Sequence, residues 1–205
     1  MDKDQLQQIY KQEAYYWGKK PNELARRVPA FIPEENRQGK KLLDLGAGEG
    51  RDSVFLAKLG FDVLAMDFAS AGLAKARRLA EEAEVSIRTL EVDLNDWMLP
   101  LSVDVIYSIG TLQYLHPENR PRQFRHWQDR TAAGGLHVLF AFTRHPDVET
   151  APDWGKNEYL YEPQELESCY PHWDTLVSET VIFDCCSSGV AHRHAASILI
   201  ARKPT

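Results

Sequence analysis

The sequence predicts an α/β fold: a seven-stranded, mostly parallel sheet with helices on both faces and antiparallel pairing at its C-terminal end. Three observations carry that expectation. Short apolar runs alternate with segments of helical period from about residue 41 to residue 142. The runs are apolar on both faces, as strands covered by helices on both sides must be. Beyond residue 170, two alternating segments follow one another without an intervening helix, which suits a terminal antiparallel pair.

Each element has its own signal. Residues 41–45 form an apolar strand that runs into a glycine-rich turn, and residues 51–59 have helical spacing and stop at Gly60. Residues 61–67 read as a second strand. Ser70 is placed to cap the next helix, whose apolar face is Leu73, Ala76, Leu79, Ala80 and Ala83. Residues 85–92 and 103–109 read as the third and fourth strands. A helix is expected over 117–130, with Pro117 at its start and Gly134 past its end, followed by a strand over 136–142. Residues 143–161 have two prolines and no apolar period, so a long surface loop is expected there. A short helix starting at Glu162-Pro163 would place Leu166, Cys169 and Tyr170 on one face. The segments 175–183 and 194–201 then pair through a turn at Ser187-Ser188-Gly189. At the other end, a helix over 4–14 leads to the aromatic run Tyr15-Tyr16-Trp17. The expected organisation is an N-terminal helical cap over residues 1–35 on a single domain over 36–205.

Composition excludes several function classes. An apolar fraction of 43% and a charged fraction of 26% are those of an ordinary globular domain. The net charge of −6 argues against nucleic acid, because a phosphate-binding surface shows as a basic stripe. The pairs Lys40-Lys41 and Arg77-Arg78 are too short for one. No apolar run approaches the roughly 18 residues of a membrane helix. The polar start Met1-Asp2-Lys3-Asp4-Gln5 does not read as a signal peptide, and three cysteines suggest no disulfide framework. A cytoplasmic monomer or homodimer with neither membrane nor nucleic-acid partners is expected.

The candidate site lies at Asp44-Leu45-Gly46-Ala47-Gly48-Glu49-Gly50. Strand, glycine turn, helix, strand and acid together place an adenosine ligand at the carboxyl edge of a parallel sheet. Asp67 ends the second strand, 21 residues after Gly46, where a carboxylate can accept both ribose hydroxyls. A dinucleotide fingerprint reads G-x-G-x-x-G, and its third glycine would fall at Arg51. The spacing here is instead G-x-G-x-G. Asp44 and Glu49 would also repel a pyrophosphate at the helix start. S-adenosylmethionine carries a sulfonium and an ammonium but no phosphate, so these carboxylates favour it. Ala47 and Arg51 flank the glycines as further contacts. Asp93 is placed for the adenine amino group, with Leu94 and Phe68 against the ring. Ser108 and Ile109 end the fourth strand beside the methionyl tail, and Trp17 is placed to close over the cofactor. A non-catalytic module that senses the cofactor and a nicotinamide oxidoreductase remain the alternatives.

At these residues the sequence resembles the class I S-adenosylmethionine-dependent methyltransferases over roughly residues 20–202. Leu43-Asp44-Leu45-Gly46-Ala47-Gly48-Glu49-Gly50-Arg51 is similar to their first motif. Within that class the chain looks most like the tellurite-resistance (TehB-like) methyltransferase family of bacteria. The likeness rests on Gly50-Arg51-Asp52-Ser53, Val92-Asp93-Leu94-Asn95, residues 106–115, Glu165-Leu166 with Tyr170 and Trp173, and the ending from Ser197 to Lys203. It implies the Rossmann-like methyltransferase fold and methylation of a small acceptor: a thiol, a chalcogen oxyanion or another soft or anionic molecule. It also implies a His-Arg pair on the C-terminal hairpin. The shared ending puts Phe183 and Asp184 there, whereas His192-Arg193-His194 comes later, so that pair does not carry over.

Methyl transfer asks for alignment of a nucleophile and, where needed, removal of a proton. The candidates are Tyr114 and His116 after the fourth strand and Arg144 after the fifth, with His145, His192 and His194 beside them. Trp154 is placed to close the far side of the site. Cys185-Cys186 points to opposite faces of a strand and chelates poorly, so no metal ligands are assigned.

Overall fold

The computed structural model describes every residue except 1, 2, 153, 156, 187 and 188. Seven strands, β1 (Lys41–Leu45), β2 (Asp62–Asp67), β3 (Arg88–Glu91), β4 (Val103–Ser108), β5 (Thr131–Phe142), β6 (Asp174–Cys185) and β7 (His192–Arg202), form one sheet. Their order is β3-β2-β1-β4-β5-β7-β6. The pairs from β3 to β5 are parallel, and β7 is antiparallel to both β5 and β6. The helices are α1 (Lys3–Tyr10), α2 (Glu23–Arg27), α3 (Arg51–Lys58), α4 (Ser70–Glu82), α5 (Arg120–Asp129) and α6 (Glu165–Ser168). The strand order reverses between β1 and β4, and a parallel sheet opens a crevice at its carboxyl edge at such a point.

Side-chain alternation splits the core into two layers. Leu42 of β1 faces one layer with Val105, Tyr107, Val138 and the α2 residue Leu24. Leu43 and Leu45 face the other, with Ile106, Leu139 and the α5 residues Phe124 and Trp127. Both layers are buried, which is why the strands read as unbroken apolar runs.

Several boundaries differ from the sequence expectation. The third strand keeps only Arg88–Glu91 of residues 85–92, at the sheet edge. Ser70 is the first residue of α4 and makes no cap bond; the Asp67 carboxylate instead accepts from the Ala69 amide at 2.8 Å. The helix expected over 117–130 opens with a 3-10 turn at Pro117–Asn119 before α5. Gly134 does not end that helix. It lies within β5 at φ +71°, where its amide bonds the Lys203 carbonyl. The N-terminal helix stops at Tyr10. The expected turn at Ser187-Ser188-Gly189 falls partly outside the described residues; Gly189 has φ +80°.

One buried polar group in β5 escaped the apolar pattern. The His137 side chain lies fully buried between the Thr131 Oγ1 and Tyr170 hydroxyls, each 2.7 Å away. Burial pushes its pKa down to about 3, so it is neutral. Thr131 spends its own hydrogen on the Trp127 carbonyl at 2.7 Å and so accepts from Nε2. Nδ1 then accepts from Tyr170. Tyr170→Phe leaves that nitrogen unmet in the core and should cost about 1–3 kcal/mol, read as a lower urea midpoint.

Candidate functional site

The crevice holds a cavity of about 450 Å³. Its floor is the turn between β1 and α3, pinned to β2 by the Gly46 and Ala47 amides, which both bond the Met66 carbonyl at 2.8 and 2.9 Å. Glycine is required at Gly46 for two reasons. Its φ is +79°, and a Cβ there would lie 1.8 Å from Thr111 Oγ1. The loop after β4 fills the space a side chain would take, while the Gly46 backbone lines the cavity. Gly50 is likewise left-handed, and a Cβ would lie 2.4 Å from that of Ala76 in α4.

Carboxylates outnumber bases around this cavity. Asp44 is 2% exposed and accepts from Ser53 Oγ at 2.5 Å. Burial pushes its pKa up to about 8, and the neighbouring Asp52 and Asp67 add to the rise. Asp67 is pushed up to about 6 by burial, against the bonds it accepts from backbone amides. One of its oxygens takes the Gly48 amide at 2.9 Å and the other the Ala69 amide, and the Phe68 amide adds a weaker contact. Asp52 accepts from the Asn22 amide at 2.7 Å and the Tyr107 hydroxyl at 2.9 Å. Glu49 changes the electrostatic argument. Lys75 neutralises it at 2.7 Å, so its charge is not available to repel a phosphate as the sequence suggested. The acidity of the site rests on Asp52 and Asp67, joined by Asp44 once it ionises, because Lys3 pairs with Asp93 as Lys75 does with Glu49.

The N-terminal segment forms one wall. Tyr10 and Trp17 both line the cavity, and the indole Nε1 donates to the Tyr10 hydroxyl at 3.1 Å. The Trp17 amide donates to Glu49 at 3.1 Å, and its carbonyl accepts from Arg51 at 2.8 Å. Lys3 reaches Asp93 and lies 5.6 Å from the centre of the Phe68 ring, between the two residues expected to flank the adenine. Burial opposes the charge on Asp93, but Lys3 and the two Asn95 donors outweigh it and hold the carboxyl below its usual range.

Of the residues singled out in the sequence, Trp17, Asp44, Gly46, Ala47, Gly48, Arg51, Asp67, Phe68, Asp93, Leu94 and Ile109 come together on this cavity. Ser108 lies behind the wall, fully buried, with its hydroxyl bonded to the Leu45 carbonyl at 3.0 Å. Tyr114 lines the cavity, and its hydroxyl donates to Glu158 at 3.3 Å. Burial raises the pKa of both groups, so Tyr114 stays a proton donor. His116 and Arg144 lie outside. His116 precedes the 3-10 turn, with its ring 5.0 Å from Tyr159. Arg144 pairs with Glu162 at 2.9 Å beside a second cavity of about 350 Å³. Trp154 and His194 stand between the two cavities and line both.

Tyr10, Lys3, Thr111, Gln113 and Glu158 also form the wall, beyond the residues singled out in the sequence. Tyr10 carried a signal, since it shares a helical face with Leu6. Glu158 carried none, because an acid in an aperiodic loop looks solvated. Of the cysteines, Cys185 ends β6 and lines the cavity, and Cys186, just beyond the strand, is exposed. Cys169 packs against the core, where burial raises its thiol to about 11.

Among the described residues no helix is long and apolar enough to cross a membrane. A relative in Haemophilus influenzae (strain 10810), described as a probable S-adenosyl-L-methionine-dependent methyltransferase TehB, is 27% identical over 168 residues. That match covers 82% of this chain and 58% of the relative, so the chain spans about three-fifths of the relative's length. The crystal structure of TehB from Haemophilus influenzae superposes with a TM-score of 0.78 at 23% identity, covering 98% of this chain and 66% of that one. The N-methyltransferase NodS from Bradyrhizobium japonicum WM9, solved with S-adenosylhomocysteine, superposes with a TM-score of 0.75 at 13% identity, covering 98% of each chain. At these identities the two structures establish the Rossmann-like methyltransferase fold. The family described as tellurite resistance protein TehB matches residues 9–182, and the chain belongs to it.

Proposed function

We propose that this chain is an S-adenosylmethionine-dependent methyltransferase for a small soft or anionic acceptor, a thiol or a chalcogen oxyanion. The observation that carries the cofactor reading is the surplus of buried carboxylates around the G-x-G-x-G turn, which suits a ligand with two positive centres and no phosphate. The names of the relatives agree with it. The acceptor reading rests on family membership.

Residues 1–35 act as a cap over the domain at 36–205, which works in the cytoplasm as a monomer or homodimer. The Asp67 carboxylate takes the ribose hydroxyls. Asp93, Leu94 and Phe68 take the adenine once Lys3 withdraws. Asp44 and the backbone of Ser108 and Ile109 hold the ammonium. The bound cofactor supplies a methyl group already activated on sulfur. What remains for the protein is alignment of the acceptor and exclusion of water, which Tyr10, Trp17, Tyr114 and Trp154 provide as walls.

Asp67→Ala should weaken S-adenosylhomocysteine binding by on the order of 1–3 kcal/mol in calorimetry, through unmet polar partners. Unchanged affinity would remove Asp67 from the site. The acceptor class is tested by incubating the protein with S-adenosylmethionine and, separately, thiols, selenite, tellurite and small amines, with products weighed by mass spectrometry. Methylated thiols or chalcogens are expected. Products from amines alone would overturn the acceptor assignment.

A further inference from the structure

On the β6–β7 hairpin, Cys185 sits directly opposite His192 in the antiparallel register, and His194 follows two residues along the same face. One ligand atom from each of the three lies within 4.8 Å of those of the other two. The two imidazoles meet through their Nε2 atoms, 3.0 Å apart. Cys185 and His194 line the large cavity.

We propose that Cys185, His192 and His194 hold a zinc ion in the cavity wall, with a fourth position open to the cavity. Four observations support this. A thiol with two imidazoles is a soft donor set that zinc prefers in tetrahedral geometry. A tetrahedral ion needs N···N near ~3.3 Å and N···S near ~3.6 Å, given Zn–N of about 2.05 Å and Zn–S of about 2.3 Å. The two Nε2 atoms stand 3.0 Å apart, close to that N···N separation, and all three ligand atoms lie within 4.8 Å of one another. His192 Nδ1 lies 2.7 Å from the Val190 carbonyl, to which it donates. That bond fixes the tautomer with the lone pair on Nε2, as in the outer shell of zinc-binding histidines. Finally, His194 is held among rings, 4.9 Å from Phe142, 5.7 Å from Phe183 and 5.7 Å from Trp154, so its position is set before any ion arrives. Three protein ligands and one open position are the arrangement of zinc sites that accept an exogenous ligand. Adjacent cysteines make a poor chelator, and Cys186 takes no part; the cross-strand register supplies the two histidines that the pair lacks.

The proposal does not depend on methyl transfer. The test is titration of the full chain, after dialysis against a chelator, with Co²⁺ as a spectroscopic stand-in. Saturation at one equivalent is expected, with the visible bands of tetrahedral Co²⁺ and a near-ultraviolet thiolate-to-cobalt band, all abolished by Zn²⁺. Cys185→Ser should lose the near-ultraviolet band. His192→Gln and His194→Gln should each weaken binding by at least about tenfold. Cys169→Ser and Cys186→Ser should change nothing. Lack of saturable Co²⁺ uptake by the unmutated chain would leave only a His-His hydrogen bond and overturn the proposal, whatever the variants do. A thiolate band that survives in Cys185→Ser would overturn it equally.

Discussion

S-adenosylhomocysteine should bind this protein more tightly as pH rises from about 6 to about 8, and Asp44→Asn should remove most of that dependence, leaving the shallow part near pH 6 that Asp67 contributes. The free protein holds the Asp44 carboxyl at a pKa of about 8, because burial penalises its charge more than the Ser53 hydroxyl relieves it. The ligand's ammonium favours the ionised carboxylate. Below pH 8 the free protein therefore carries a proton that binding must expel. Affinity climbs with pH until the free carboxyl ionises by itself, and is flat above that. One expelled proton gives at most about tenfold per pH unit, so up to about a hundredfold over this range. Calorimetry in buffers of different ionisation enthalpy reads the released proton directly. Flat affinity between pH 6 and 8 in the unmutated protein would remove Asp44 from contact with the cationic end of the ligand.

Glu49→Ala should cost about 3–5 kcal/mol of folding stability and loosen residues 14–17. The Glu49 side chain is 1% exposed and its partner Lys75 11% exposed, so removing the carboxylate strands a buried ammonium. Lys75 is also the centre of a strap. It donates to the Ala14 carbonyl at 2.6 Å and lies 5.3 Å from the centre of the Tyr15 ring, while its own carbonyl accepts from the Tyr15 hydroxyl at 3.1 Å. Glu49 itself anchors the Trp17 amide. The loss should show as a lower urea midpoint and faster proteolysis around residues 11–20. The double replacement Glu49→Leu with Lys75→Met should recover most of the stability, since no charge is left unpaired. An unchanged midpoint in Glu49→Ala would show that the pair carries no net weight.

The sheet was legible because burial on both faces leaves an unmistakable apolar run, and because Gly46, Gly48 and Gly50 occupy left-handed backbone conformations that other residues rarely adopt. Strand ends were less legible. Gly134 looked like a helix stop because a positive φ serves a helix terminus and a distortion within β5 equally well. In the site, residues fixed by position in a strand or turn, such as Asp44 and Asp67, could be placed from spacing alone. Residues whose role depends on a distant partner could not. Lys75 sits on a helix face with nothing local to mark it, and only folding brings it to Glu49. His116 and Arg144 were reasonable by chain position, after the fourth and fifth strands, but loop paths turn both away from the cavity. Cys185 and His192 are seven residues apart in sequence and become direct neighbours only through hairpin register.

The glycine turn and the acids around the cavity call for a phosphate-free adenosine ligand with an ammonium tail. Calorimetric titration of the unmutated chain with S-adenosylhomocysteine and, in parallel, with NAD tests it most directly. Saturable binding of S-adenosylhomocysteine in the micromolar range, with no heat from NAD, is the predicted result. Binding of NAD, or no binding of S-adenosylhomocysteine, would contradict it.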